Sequence, residues 1–222
     1  MGNIDVNEGS PTAVFTVTGA SGQVVALALS GATGNPALDA AGGAAALGTT
    51  LPTLQYYEGG QWKDYSASNP PRIASGATSL LVRVAISAEQ ETAYDGPETF
   101  SLVATNTGGS SATGVATIHD DGTGTIFKVD GTADASAVKD DDRRLSIQDI
   151  RVNEGSPYAV FEVKGSQGQA ITLALSDGTA TSADYGSTLQ VSLDGGQTWQ
   201  PYTGAAVPIG SRESVLVRMP IK

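Results

Sequence analysis

The chain repeats itself, and the repeat constrains its fold more than any other feature. Val6-Asn7-Glu8-Gly9-Ser10-Pro11 returns as Val152-Asn153-Glu154-Gly155-Ser156-Pro157, an offset of 146. The register holds onward. Ala13-Val14-Phe15 meets Ala159-Val160-Phe161, Gly22-Gln23 meets Gly168-Gln169, and Leu27-Ala28-Leu29-Ser30 meets Leu173-Ala174-Leu175-Ser176. At smaller offsets, Gly59-Gly60-Gln61-Trp62 matches Gly195-Gly196-Gln197-Thr198-Trp199, and Leu81-Val82-Arg83 matches Leu216-Val217-Arg218. The drift places extra residues in the first copy, in the Ala/Gly-rich stretch Ala40 to Gly48. Six blocks in shared order indicate duplicated modules. The copies are unequal, because residues from Ser87 to about Gly124 have no counterpart in the second. An incomplete module exposes strand edges and an uncovered apolar face. A chain cut short, proteolysis, and strands supplied by another chain are all compatible with that.

Each module reads as β-structure. Thr12–Thr18 (TAVFTVT) alternates Ala13, Phe15 and Val17 with Thr12, Val14 and Thr16, the period of two expected of a half-buried strand. Gln23–Ser30, Thr53–Tyr57, Gln61–Tyr65, Ser79–Ile86, Glu98–Thr105 and Thr113–His119 complete seven strands, with Glu58-Gly59-Gly60 marking a hairpin. In the second copy Tyr158–Lys164, Gln169–Ser176, Thr188–Leu193 and Ser214–Ile221 repeat the early strands. Only Ala40–Leu47 suggests a helical turn. Gly is 28 of 222 residues, and Gly, Ser, Thr and Asp clusters break every apolar run. The expectation is all-β: tandem Ig-like, seven-stranded antiparallel β-sandwiches, the second incomplete. The modules are 1–127 and 147–222. Residues 128–146, which include VDGTADASAVKDDDRR, read as an acidic linker or a surface β-excursion.

Charge narrows the function. With 23 acidic and 12 basic residues the net charge is −11, which argues against a nucleic-acid partner. No Cys excludes disulfides, thiolate metal sites and a Cys nucleophile, and a single His leaves little room for His-based metal sites or a Ser–His–Asp relay. No apolar run is long enough to span a membrane. No signal peptide begins the chain, which suggests a piece of something longer. Residues 1–130 hold 12 acids and 4 bases, against 11 and 8 in residues 131–222. The acids of the first copy sit mostly at strand ends.

Four ordered motifs carry a family resemblance: Val152 to Gly155 (VNEG), Asp177 to Gly186 (DGTATSADYG), Tyr94 to Leu102 (YDGPETFSL) and Ala116 to Gly122 (ATIHDDG). As a set they resemble the Calx-beta domain, across all of the first copy and the first two-thirds of the second. The resemblance implies a seven-stranded sandwich of a kind found in sodium–calcium exchangers, integrin β4 and tandem arrays of large bacterial RTX-type surface adhesins. It implies Ca²⁺ at acidic loops of one end. Carried over by position, the implied ligands are Glu8, Asp39, Asp95, Glu98, Asp120 and Asp121, with Glu154 and Asp184 in the second copy. Gly122 replaces a third acid of the terminal cluster, and Glu89-Gln90-Glu91 stands where consecutive Asp residues are common. Both departures lower the expected number of ligands.

Elementary chemistry agrees with a cation site. Ca²⁺ takes six to eight oxygen ligands. Two carboxylates about 4 Å apart repel by roughly 4 kcal/mol at an effective dielectric near 20. Solvated turn acids are the alternative reading. Asp140-Asp141-Asp142 reads as a solvated charge run beside Arg143-Arg144, or else as an inter-module Ca²⁺ site with Asp130, Asp134 or Glu154. It lacks EF-hand spacing. Trp62 and Trp199 occupy matched hairpin positions and read as cross-strand packing, with stacking on sugar rings as the alternative. His119 reads as structural. The expected role is an extracellular, non-catalytic extender of a bacterial surface adhesin, stiffened by Ca²⁺ and contacting neighbouring modules of its own chain. A carbohydrate- or protein-binding module, or an accessory domain of a secreted enzyme, are the other readings.

Overall fold

The structure is a computed structural model that describes residues 1–31, 52–86, 94 and 96–222. It divides into two compact units, Met1–Asp142 and Arg143–Lys222. All regular structure among the described residues is strand, and no helix is long and apolar enough to cross a membrane.

Among the described residues, the first unit has eight strands: β1 (Ile4–Asn7), β2 (Thr12–Thr18), β3 (Val25–Gly31), β4 (Gln55–Glu58), β5 (Gln61–Asp64), β6 (Ser79–Ala85), β7 (Glu98–Asn106) and β8 (Ser111–His119). They form two sheets, ordered β2-β6-β4-β5 and β1-β8-β7-β3. Alternation decides which side chains meet. Ala13, Phe15 and Val17 of β2 stand opposite Val84, Val82 and Leu80 of β6, and all six are buried. Phe100, Leu102 and Ala104 bury the equivalent face of β7. Phe15 and Phe100 meet across the two layers edge to face, with centroids 5.9 Å apart. Each such aromatic or aliphatic side chain contributes about 1.5–3 kcal/mol by leaving water. The result is a β-sandwich with one core.

Two features differ from the sequence expectation. There are eight strands, because β1 was not legible: IDVN offers only two apolar residues, too few to establish a period. It is also parallel to β8, with Ile4 opposite Ala116 and Val6 opposite Ile118, so its sheet is mixed and not antiparallel throughout. The helical turn suggested at Ala40–Leu47 lies outside the described residues.

The expected linker splits in two. Residues to Asp142 belong to the first unit, as a surface excursion. Phe127 bridges to Ala133, Lys128 N donates to Thr132 O at 2.8 Å, and Arg83 Nη1 donates to Val129 O at 2.6 Å. Of the two readings that composition offered, residues up to Asp142 form the surface excursion, which bonds within itself and to the sandwich.

The second unit has β9 (Ser146–Ile147), β10 (Tyr158–Lys164), β11 (Ala170–Ile171), β12 (Gln190–Ser192), β13 (Gln200–Pro201), β14 (Val207–Pro208) and β15 (Ser214–Pro220). A five-stranded sheet runs β13-β12-β15-β10-β9, and β11 pairs only with β14. The strand expected over Gln169–Ser176 shrinks to Ala170–Ile171. In the first unit the matching β3 pairs along its whole length with β7, from Val25–Asn106 to Gly31–Phe100. No counterpart of β7 occurs in residues 143–222, so Leu173 to Ser176 have no neighbour to extend the ladder. A core forms around Val163, Ile171, Ile209 and Val215.

The β12 turn is held by Asp194. Its carboxylate accepts from Thr198 Oγ1 at 2.6 Å, Ser192 Oγ at 2.7 Å, and the N–H groups of Gln197 and Thr198 at 2.9 Å. The Thr198 hydroxyl and amide, with Ser192, hold the Asp194 carboxyl well below the usual carboxylate range. A carboxyl lowered by folding stabilises the folded form above its unfolded pKa near 4, and that contribution is lost as pH falls below it. Acid titration of second-unit unfolding should therefore show a drop below about pH 4 that Asp194→Asn flattens. Core truncation should separate the units. Phe15→Ala should cost the first unit about 3–5 kcal/mol in urea unfolding. Phe161→Ala, at a half-buried position, should cost the second less than half as much.

Candidate metal centre

Strand register sets where Glu8, Glu98 and Asp120 stand in the first unit. In the parallel β1–β8 pair Asn7 lies opposite His119, so Glu8 and Asp120 leave the ladder side by side. Glu8 N donates to His119 O at 2.9 Å. Glu98 opens β7, opposite Ile118. All three carboxyl side chains are buried: Glu8 is 4% exposed, Glu98 3% and Asp120 3%.

Asn7 ties this end together. It is fully buried, and its Nδ2 donates to Thr123 O at 2.8 Å, Asp140 O at 3.0 Å and His119 O at 3.3 Å. Its Oδ1 accepts from Asp140 N at 2.8 Å and Gly9 N at 3.1 Å. One amide thus binds the end of β1, the turn after β8 and the returning excursion.

The excursion brings a second set of acids. Asp142 N donates to Asp120 O, and Gly122 N to Asp140 O, both at 2.9 Å, while Asp121 bridges to Asp141. Asp142 presents a buried oxygen, Oδ2. Asp120 Oδ2 accepts from Gly96 N at 3.2 Å, and Asp121 Oδ1 accepts from the amide and hydroxyl of Thr123. Two glycines make the close approach feasible. Gly124 has φ +80°, and a Cβ there would overlap the Val6–Asn7 peptide. Gly122 has φ +77°, and a Cβ would lie 2.9 Å from Asp141 Oδ2. The missing third acid of the terminal cluster is thereby explained. The backbone at residue 122 is left-handed, a conformation that suits glycine, and the adjoining space is taken by a carboxylate from residue 141.

Of the residues expected as ligands, Glu8 and Asp120 directly follow the paired ends of β1 and β8, Glu98 opens β7, and Asp121 follows Asp120. Asp39 and Asp95 lie outside the described residues, as does Glu89-Gln90-Glu91. In the second unit Glu154 is exposed, and Asp184 Oδ2 accepts from Thr181 N at 2.8 Å as a turn cap. Glu154 and Asp184 show no shared site; each serves its own surface turn. Asp140-Asp141-Asp142, for which the sequence offers a solvated run or an inter-module Ca²⁺ site, folds back onto the first unit. The signal that could have placed them is Asn7, whose short polar side chain at a strand end asks for backbone partners. In kind, carboxylate and carbonyl oxygens are the donors a hard cation takes. Among the described residues, no group of three or more His, Asp or Glu is placed so that it could hold a metal ion.

The aromatic hairpins are packed. Arg83 lies 4.4 Å over the Trp62 ring, and Tyr57 meets Trp62 edge to face at 5.2 Å. At the matched position Arg218 lies 4.2 Å from both Trp199 and Tyr158. A cation–π stack on each indole is a packing role in both copies. His119 Nε2 lies 3.0 Å from Asp5 Oδ1, a cross-strand contact.

No family model matches the chain, and no curated protein matches it. Among solved structures, one described as CBD12 from CALX1.2 is 13% identical, over 99% of this chain and 72% of that one, with a TM-score of 0.38. The CupB2 chaperone of Pseudomonas aeruginosa is 8% identical, over 98% of this chain and 85% of that one, with a TM-score of 0.29. Both scores are low, and the all-β sandwich assignment rests on the strands themselves.

The Asn7 clamp makes a direct prediction. Asn7→Ala should destabilise the first unit by about 2–4 kcal/mol, since several buried backbone groups lose their partner at once. Asn153→Ala should change the second unit by less than about 0.5 kcal/mol. Asn153 is exposed and its side chain accepts only from Gly155 N among the hydrogen bonds described. Equilibrium urea unfolding of the two variants measures both.

Proposed function

We propose that this chain is a Ca²⁺-binding β-sandwich segment of an exported bacterial surface protein, acting as an extender in a Calx-beta-like adhesin. The observation that carries the calcium part is the burial of Glu8, Glu98 and Asp120 at one end of a single sandwich. A buried carboxylate is costly unless a cation, a proton or hydrogen-bond donors compensate it. Calcium suits a site built from carboxylates and loop carbonyls, since it accepts irregular geometry and a high ligand number. Glu8, Glu98 and Asp120 would supply the inner carboxylates, with Asp121 and Asp142 beside them and Asp95 from the adjoining segment. The bound ion would neutralise the acidic end and hold the excursion to it.

The extender part is supported by the duplication, by an acidic balance of −11, and by the absence of Cys in a chain whose rigidity comes from sheets. The role is mechanical and non-catalytic, and its contacts are with Ca²⁺ and neighbouring modules outside the cell. Extracellular calcium modules have Kd values of about 10⁻⁴–10⁻³ M, matched to millimolar calcium.

Ca²⁺ bound to the folded form alone stabilises it by RT ln(1 + [L]/Kd), about 2.7 kcal/mol at one hundred times Kd. Calorimetry of the whole chain should show the first-unit transition rising by several degrees in 10 mM Ca²⁺, about one hundred times a Kd of 10⁻⁴ M, and falling back with chelator. Asp120→Asn should abolish the rise, and equal Mg²⁺ should not reproduce it. An unchanged transition at 10 mM Ca²⁺ ends the calcium reading.

A further inference from the structure

The first unit is entered and left beside the same strand. β1 starts level with Ala116 of β8, and Asp142, where the unit ends, is bonded level with Asp120. Between those points β1 is held on both edges. Toward β8 it is paired from Ile4 to Asn7, and Glu8 N donates to His119 O at 2.9 Å. On the other edge Asn7 N donates to Thr125 O at 3.1 Å, and Thr125 N donates to Asp5 O at 3.0 Å. Asn7 then joins the way in to the way out. Its Oδ1 accepts from Asp140 N at 2.8 Å and its Nδ2 donates to Asp140 O at 3.0 Å.

Tension drawn between residues before Ile4 and residues after Asp142 takes that short route. Because β1 is parallel to β8, such tension pulls β1 backwards along its own length and pulls Asp140–Asp142 forwards. The bonds lie across the pull and share it, so none can open ahead of its neighbours. Asn7 and Asp140 are 133 residues apart in sequence, and the chain between them lies off the load path until these bonds part.

We infer that the Asn7 side chain and the parallel pairing of β1 form a mechanical lock, which gates unfolding of the first unit under tension along the chain. That such tension arises in use rests on the extender reading; the lock rests on the bonds alone. The amide suits the task. It is fully buried, so water does not compete for its hydrogen bonds, and its donor and acceptor close a ring with the main chain of one residue. Both bonds must part together. Forced unfolding is governed by the rate of that event and not by the equilibrium stability of the sandwich.

The chain has no Cys, so paired cysteines place handles for optical tweezers on the whole protein. Gly2→Cys with Arg144→Cys pulls across the lock. Gly2→Cys with Ser110→Cys turns β1 back over β8 and opens its pairs singly from Ile4. All three positions are exposed. Both are held at the same constant force in chelator. Across the lock, the unit should open in one step that frees about 45 nm of chain. It should open at least about tenfold more slowly than with the handle at residue 110. Asn7→Ala should speed opening across the lock at least about tenfold, by removing both bonds to Asp140, and should leave the other geometry within about threefold. Phe15→Ala, which weakens the core away from the lock, should speed both geometries alike. Equal opening rates in the two geometries overturn the inference, as does an Asn7→Ala effect that is the same in both. If Asn7→Ala does not fold, the two geometries of the chain with Asn7 in place decide alone. A melting transition unmoved by Ca²⁺ removes the calcium reading and leaves the lock standing, whereas equal opening rates remove the lock and leave that reading standing.

Discussion

One buried amide organises the acidic end of the first unit. Asn7 spends both its donor and its acceptor capacity on main chain from three separate segments, at residues 9, 119–123 and 140. The turn after β8 and the excursion also bond directly to each other, Asp142 N to Asp120 O and Gly122 N to Asp140 O, and Asn7 ties both to the end of β1. Glu8 and Asp120 are buried within this tightly held backbone. Burial of a carboxylate is costly unless a cation, a proton or hydrogen-bond donors compensate it.

The two copies show that identical words have different meanings in different surroundings. Asn153 sits in the same VNEGSP motif as Asn7 and forms the same local turn, with Gly155 N donating to its side chain at 2.9 Å. It is nonetheless exposed, and so is Glu154. The local geometry is encoded in six residues. The burial is not, since it needs β8 and the excursion. The same holds for Leu173-Ala174-Leu175-Ser176, which is a strand in its first copy and unpaired backbone in its second. Propensity proposes and the neighbouring strand decides.

Period-two alternation made most of the sandwich legible. Tyr158–Lys164 and Thr12–Thr18 coincide with β10 and β2 to the residue. Position-by-position likeness pointed to Glu8, Glu98 and Asp120, and the structure buries all three. What was illegible has physical causes. β1 is too short to show a period. The excursion to Asp142 is tied down by backbone bonds, which composition does not record. The role of Gly122 depends on a carboxylate nineteen residues away in sequence, at Asp141, which the Asp121–Asp141 bridge and its flanking backbone bonds bring there. The indoles of Trp62 and Trp199 gave the right expectation of packing, but their partners, Arg83 and Arg218, came from another strand.

The parallel pairing of β1 with β8 has a consequence for the order in which this unit is made. Ile4 must wait for Ala116, and Asn7 for Asp140, 133 residues further on. During synthesis, hairpins such as β4–β5 and β7–β8 close as soon as they emerge, because their loops are short. The first strand of this unit to be made is among the last to dock, since long-range closure is slow. The acidic end is therefore the final part of the sandwich to assemble, and until it does, the earliest residues of the unit stay open to any other strand edge nearby.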